Sequence, residues 1–320
     1  MNRPIRLGLI GVGAWGINYV KTIENIHGME IDLIACKNLN NKSYLQDIYR
    51  VVDCWQEVIT CPRIDGIIIA SPPSTHYEIA AEAIKNKKHL IVEKPITLSS
   101  YEAEILLELS IENKVNVKVN HIYLYHPMYI FLKKYIQEKK DLKSIITLSG
   151  NFGPFREDVS RLWDWGPHDL AMCLDLMGEI PSKIEAKYNK LEFTSKQNKS
   201  NIFTKLSFSN NKYAVLEFGN LMKSKKRFMK LNFANGSYIF DPIRYKHIQK
   251  ENNFQLEEIE QKKITEDVSF EDSPLEVLLK DFMKDIKINR FKMDDLKLSI
   301  SVIKTIEQID MILEKESSFI

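Results

Sequence analysis

The sequence predicts an α/β protein, with a doubly wound parallel sheet at the N-terminus and an α+β domain of mostly antiparallel strands after it. Three observations carry this expectation. Five short apolar runs alternate with helical patterns from residue 5 to about 120. A glycine-rich turn follows the first run directly. Beyond residue 200, short apolar or alternating segments are separated by turn residues instead of helices.

The apolar runs are Ile5–Ile10, Ile31–Cys36, Gly66–Ala70, His89–Val92 and Val115–Val119. A helical stretch, Ile17–Ile26, follows the first. Thr75 with Glu78, and Ser99 with Glu102, read as capping boxes before Ile79–Ile84 and Ile105–Leu109. In the second half, Thr204–Phe208, Tyr213–Phe218, Phe228–Phe233 and Ser237–Phe240 read as strands. The turns between them are Ser209-Asn210-Asn211-Lys212 and Asn235-Gly236. Two helical patterns, about Leu275–Ile288 and Asp295–Lys315, close the chain. The asparagine- and lysine-rich stretch 194–201 reads as an exposed loop.

A chain of 320 residues exceeds what one core usually holds, so two domains are expected, 1–121 and 122–320. With 45 basic and 43 acidic residues the net charge is only +2, which argues against a nucleic-acid or membrane-surface protein. The runs Lys87-Lys88, Lys139-Lys140, Lys223 to Arg227 and Lys262-Lys263 read as solvated surface. Cys36, Cys54, Cys61 and Cys173 form no CxxC pair. They imply free thiols in a reducing, cytoplasmic setting, with neither disulfide nor metal. Arg3 and Arg6 precede an apolar run as in a leader. Gly8, Gly11, Gly13 and Gly16 break that run, and it reads as strand and turn. No stretch of about 18 apolar residues predicts a membrane span.

The turn reads Gly11-Val12-Gly13-Ala14-Trp15-Gly16. Between a strand and a helix, this GxGxxG spacing is the context a Rossmann dinucleotide site needs. Gly11 permits the tight turn, Gly13 lets backbone approach a pyrophosphate, and Gly16 lets the helix pack on the strand. Ala14 and Trp15, within the turn, are further candidate cofactor ligands, and the N-terminus of the following helix offers free N–H groups to the anion. Some twenty residues on, where an acid would pair a ribose hydroxyl, stands Lys37. A cation there accommodates a 2′-phosphate, so Lys37 tilts the choice between NAD and NADP toward NADP and leaves it open. The next strand ends carry Ser71, Pro72 and His76, then Glu93-Lys94-Pro95. On their own these read as capped loops.

Together, GVGAWG, ASPPSTH, HLIVEKP, Asn120-His121 and the segment Leu162 to Asp169 resemble the glucose–fructose oxidoreductase and inositol dehydrogenase (Gfo/Idh/MocA) family. GAWG followed by Asn18, with Leu124-Tyr125-His126-Pro127, is similar to its branch acting on sugar nucleotides and amino sugars. The resemblance covers nearly the whole chain. It implies an NAD(P)-dependent dehydrogenase or reductase of sugar-like substrates, with a second domain whose open sheet face joins subunits into a homodimer or homotetramer. It also implies that Ser71, Pro72, His76, Glu93 and Lys94 line the cofactor, and that Lys94 donates to the substrate oxygen.

Hydride transfer from an alcohol needs a group that removes the hydroxyl proton. His168 is the candidate base. Leu170, Cys173, Leu174 and Met177 form one helical stripe, and His168 points away from it. Asp164 lies four residues earlier, a neighbour if the helix is continuous. Pro167 favours a helix that starts there and leaves Asp164 on a loop, with Gly178 as the stop. Arg156 and Arg161 are candidate anion ligands or plain loop arginines, and Tyr123 is a candidate sugar-stacking ring or a core aromatic. Two rival functions stay open: a cofactor-binding regulator on the same fold, and a reductase of a non-sugar ketone or imine.

Overall fold

The computed structural model describes residues 3–317 apart from 38–42, 44, 140, 154–159, 194–197, 245–247, 253–254, 260–262, 266–267 and 270. The chain divides into two compact units, Met1–Ile122 with Ser273–Ile300 and Tyr123–Asp272 with Ser301–Ile320.

The first unit is built on β1 (Ile5–Ile10), β2 (Met29–Ala35), β3 (Val51–Val52), β4 (Gly66–Ile69), β5 (His89–Glu93) and β6 (Val117–Asn120). All pairings are parallel, in the order β3-β2-β1-β4-β5-β6. The strand order reverses between β1 and β4, where sheets of this type open a crevice at the carboxyl ends. Every residue of β4 and β6 is buried, as expected for strands covered on both faces. The two-residue β3 is too short for a pattern search to find.

Helices α1 (Ala14–Ile23), α2 (Trp55–Thr60), α3 (His76–Lys85) and α4 (Ser100–Asn113) connect these strands. Neither expected capping box forms. A tight 3-10 turn, Pro73–Thr75, already holds Thr75 in a helical conformation, so its side chain cannot cap α3. The Thr75 hydroxyl instead donates to the Pro72 carbonyl at 2.8 Å. Ser99 has the extended backbone of a cap, yet its side chain makes no cap bond. Lys88 also departs from expectation. It is half-buried and donates to the carbonyls of Cys61 and Ile64, both at 2.8 Å.

The C-terminal segment of this unit is docked by polar groups. The helix Pro274–Lys287 brings Phe282 to within 3.0 Å of where a Cβ on Gly66 would stand, which explains glycine at the start of β4. Buried Lys118 on β6 pairs with Asp281 at 2.6 Å, Asp285 at 3.1 Å and Asp295 at 3.4 Å. Asn116 completes the fastening, accepting from Lys292 N–H at 2.7 Å and donating to the Arg290 carbonyl.

The second unit carries α5 (Pro127–Lys139), β7 (Ser144–Phe152), α6 (Arg161–Met177), β8 (Lys183–Phe193), β9 (Asn198–Ser207), β10 (Tyr213–Gly219), β11 (Leu221–Phe233), β12 (Gly236–Phe240), β13 (Ile248–Asn252) and β14 (Gln255–Ile259). The chain closes with α7, the helix Pro274–Lys287, and α8 (Asp294–Ser317). The eight strands order as β14-β13-β12-β11-β7-β10-β9-β8, antiparallel except for the parallel β7–β10 pair. Helix α6 packs against β7, β9 and β10, over Ala214, Leu216 and Phe218, which are fully buried. Of the stretch expected as a loop, 198–201 belongs to β9, and 194–197 lie outside the described residues. Asn210 and Asn211 take positive φ in the turn before β10, a conformation asparagine tolerates better than most residues.

All four thiols are free, with Cys36 and Cys173 buried. Among the described residues, no helix is long and apolar enough to cross a membrane.

Candidate cofactor and catalytic groups

The turn after β1 is built around its glycines. Gly11 has φ +91, and a Cβ there would lie 2.6 Å from the Ser71 backbone nitrogen. A Cβ on Gly16 would lie 2.3 Å from the Gly11 carbonyl oxygen. Gly13 differs, because a Cβ there would meet nothing within 4 Å. It is the N-cap of α1, and no side chain caps that helix. Gly13, Ala14 and Trp15 are all exposed. A helix start with bare backbone, open space over Gly13 and positive dipole character fits the pyrophosphate of a dinucleotide. The helix begins at Ala14, three residues ahead of the expected Ile17. Lys37 is exposed just beyond β2, and the residues after it are outside those described.

The ends of β4 and β5 are joined by one side chain. His76 has no solvent exposure, and its ring nitrogens lie 2.8 Å from the Pro95 carbonyl and 2.9 Å from the Ser71 carbonyl. Burial pushes its pKa down, so the neutral ring donates to one of the two, and its tautomer decides which. The ring is thus committed to these loops and is not presented to a ligand. Ser71 is half-buried and its hydroxyl is 2.7 Å from that of Thr75, while Pro72 is exposed.

Glu93 ends β5 buried, with Tyr19 Oη at 3.0 Å and Asn120 Nδ2 at 2.6 Å both donating to its Oε1. Burial raises its pKa, against the opposing pull of these two bonds. Lys94 follows, half-buried, with a cis bond to Pro95. His121 lies beyond β6, wholly buried, with Nε2 3.0 Å from Ser299 Oγ. Burial first, and the positive charge of Lys94 second, push its pKa down to about 3. His121 therefore stays neutral beside a cation. Sequence reading missed Tyr19 and named Asn120 only within the resemblance, since nothing local marks a helix tyrosine and a strand-end asparagine as partners of Glu93.

In the second unit the helix carrying His168 starts at Arg161, not at Pro167. Ser160 is its N-cap, accepting from Trp163 N–H, and Gly178 ends it in the left-handed conformation. Pro167 sits inside, at the loss of one backbone bond. Tertiary anchors compensate: Trp163 Nε1 donates to Asp310 at 2.9 Å, and Gly166 fits closely against Leu162 and Phe218. Asp164 and His168 are thus one turn apart on a continuous helix, both half-buried. The expected stripe of Leu170, Cys173, Leu174 and Met177 is buried, and His168 lies off it.

Tyr123, in the short turn Ile122–Tyr125, meets the His168 ring edge-on at 5.3 Å. Arg161 is 6% exposed, so it is not a loop cation on the surface. Arg156 lies outside the described residues. Asp169 and Arg227 form a buried pair beside His168 that sequence reading missed. The only hint was an arginine ending a lysine run in a strand.

Residues 5–121 match the profile of the oxidoreductase family with an NAD-binding Rossmann fold (GFO_IDH_MocA). The scyllo-inositol 2-dehydrogenase (NADP(+)) of Bacillus subtilis is 26% identical over 202 residues, covering 57% of this chain and 54% of that protein. The UDP-N-acetylglucosamine 3-dehydrogenase of Acidithiobacillus ferrooxidans is 28% identical over 131 residues, 39% of each chain. The chain thus spans about half the length, or less, of these relatives. A solved structure from Magnetospirillum magnetotacticum superimposes with a TM-score of 0.85 at 28% identity, over 95% of this chain and 99% of that one. The Acidithiobacillus enzyme's own structure gives 0.83 at 20% identity, over 97% and 98%. Over its N-terminal unit, the chain is similar to the Gfo/Idh/MocA family of oxidoreductases with an NAD-binding Rossmann fold.

Proposed function

We propose that the protein is an NAD(P)-dependent dehydrogenase or reductase that interconverts a secondary alcohol and a ketone on a sugar, sugar phosphate or nucleotide-linked sugar. A bound nicotinamide dinucleotide supplies or accepts the hydride. Gly13, Ala14 and Trp15 hold its pyrophosphate at the start of α1, Gly11 and Gly16 keep the turn beneath it tight, and Lys37 faces the adenosine ribose. Lys94 donates a hydrogen bond to the substrate oxygen where charge develops. His168 takes the hydroxyl proton on a ring nitrogen, and Asp164, one turn earlier, orients that ring. The names of the inositol and UDP-sugar relatives support the substrate class. The open face of the second unit's sheet, where Ile146 is 36% and Tyr213 40% exposed, is the proposed contact between subunits.

The observation that carries the reading is Gly13, the one glycine of the motif whose missing side chain leaves open space. The test is direct. The purified protein is scanned for the near-ultraviolet band of reduced nicotinamide, and ligands released on denaturation are identified by mass spectrometry. Calorimetric titration with NAD(H) and NADP(H) follows. Saturable binding of either pair is expected. Absence of binding by all four forms rejects the reading, and binding without turnover of any sugar tried favours a regulator.

A further inference from the structure

The lysine run ending at Arg227 reads as solvated surface, yet Arg227 is 4% exposed. On β11 it stands opposite Ser149 of β7. Its Nη1 donates to Asp169 Oδ2 at 3.0 Å, and the Ser149 hydroxyl donates to the same oxygen. Asp169 is fully buried and follows His168 on α6. The guanidinium carbon lies 4.1 Å from the centre of the Tyr123 ring, with Trp165 at 5.9 Å. Tyr123 in turn meets His168 at 5.3 Å, the rings at 88°. A contact chain therefore runs from Asp169 through Arg227 and Tyr123 to the imidazole.

The geometry is poor for a plain staple between β11 and α6. A bidentate pair would use two guanidinium nitrogens and both carboxylate oxygens. Here Arg227 Nε and Asp169 Oδ1 find no hydrogen-bond partner among the described residues. The pair meets through one nitrogen, and the guanidinium sits over Tyr123.

We propose that Arg227, anchored by Asp169, is a positioning residue that pins Tyr123 against His168 and balances the charge around that ring. The inference rests on His168 being the base. Among the described residues, Asp164 and Asp169 on its own helix, Tyr123 on the preceding turn and Arg227 on β11 are charged or titratable groups of this cluster. A cation disfavours the imidazolium and a buried carboxylate favours it, so in the native protein the pair's two effects offset.

The test follows His168 itself, by nitrogen-15 NMR of histidine-labelled full-length protein, with seven histidines in the chain. The signal of His168 is identified by its loss in His168→Gln. Arg227→Met removes the cation and leaves a bare carboxylate, so the His168 midpoint rises by about one pH unit. Asp169→Asn leaves a bare cation, and the midpoint falls by a similar amount. Arg227→Lys keeps the ion pair but cannot lie flat on the ring, so the His168 ring resonances shift while the melting temperature holds. If either charge variant fails to fold, Arg227→Lys decides. The proposal is overturned by unmoved midpoints in folded charge variants, or by Arg227→Lys resonances that superimpose on the wild type. The base assignment fails on a different result, full turnover by His168→Ala, which the titrations do not read.

Discussion

Gly16 lies directly beneath Gly11, so close that a Cβ on Gly16 would stand 2.3 Å from the Gly11 carbonyl oxygen. The first and last glycines of the motif are therefore structural, whereas Gly13 faces open space. Gly16→Ala should lower the melting temperature, because backbone must move. Gly13→Val should fold with a near-native melting temperature and lose NAD(H) and NADP(H) binding in calorimetry. A folded Gly13→Val variant with unchanged affinity would show that the pyrophosphate does not sit there.

Lys37 stands exposed at the end of β2. Lys37→Asp should shift the NADP-to-NAD preference toward NAD, since a carboxylate repels a 2′-phosphate and accepts from a 2′-hydroxyl. The ratio of the two dissociation constants, measured for both proteins, checks this. An unmoved ratio means the side chain points away from the ribose.

His126 accepts from Met128 N–H at 3.2 Å through Nδ1, and burial pushes its pKa down to about 4. A histidine whose folded pKa lies below its unfolded value near 6.5 contributes stability above that pH. The contribution is lost as pH falls toward 4. His121, pushed to about 3, acts in the same direction. Urea midpoints should therefore drop between pH 7 and pH 4, with His126 contributing up to about 3 kcal/mol. His126→Asn keeps the acceptor but not the titration, and its midpoint should depend less steeply on pH. Equal slopes for variant and wild type would refute the assignment.

Lys118 pairs with Asp281, Asp285 and Asp295, and Lys292 reaches Asp285 at 2.9 Å and Asp281 at 3.5 Å. Lys118→Met removes the buried cation and leaves Asp285 to Lys292, and should cost up to about 3 kcal/mol in denaturant unfolding. Adding Asp285→Asn should recover part of that loss. Additive losses in the double variant would mean the two residues are not coupled.

Much of the first unit was legible because parallel strands buried on both faces are written as apolar runs, and because GxGxxG marks one strand end. The helix bearing His168 was misread at its start. Pro167 is a strong local signal, and the anchors that override it, Trp163 to Asp310 and Gly166 against Phe218, are distant in sequence. The expected boxes at Thr75 and Ser99 do not form, while Ser273 and Glu276 make a complete one that went unremarked. Arg227 illustrates the general limit. A charge at the end of a lysine run looks solvated until the strand register places it opposite Ser149 and over Tyr123.

The central claim is that Lys94, His168 and Asp164 carry the proton chemistry of a nicotinamide-dependent reaction. Its most direct test is the steady-state rate of nicotinamide reduction or oxidation with a panel of inositols and UDP-linked sugars, for the wild type and three single variants. General acid–base groups contribute about 10²–10⁴-fold. His168→Ala should lose rate on that scale while binding cofactor normally, and Asp164→Asn should lose less. Lys94→Ala should lose both rate and substrate affinity. If His168→Ala and Lys94→Ala both retain more than roughly a tenth of wild-type turnover, well short of that range, the mechanism is contradicted.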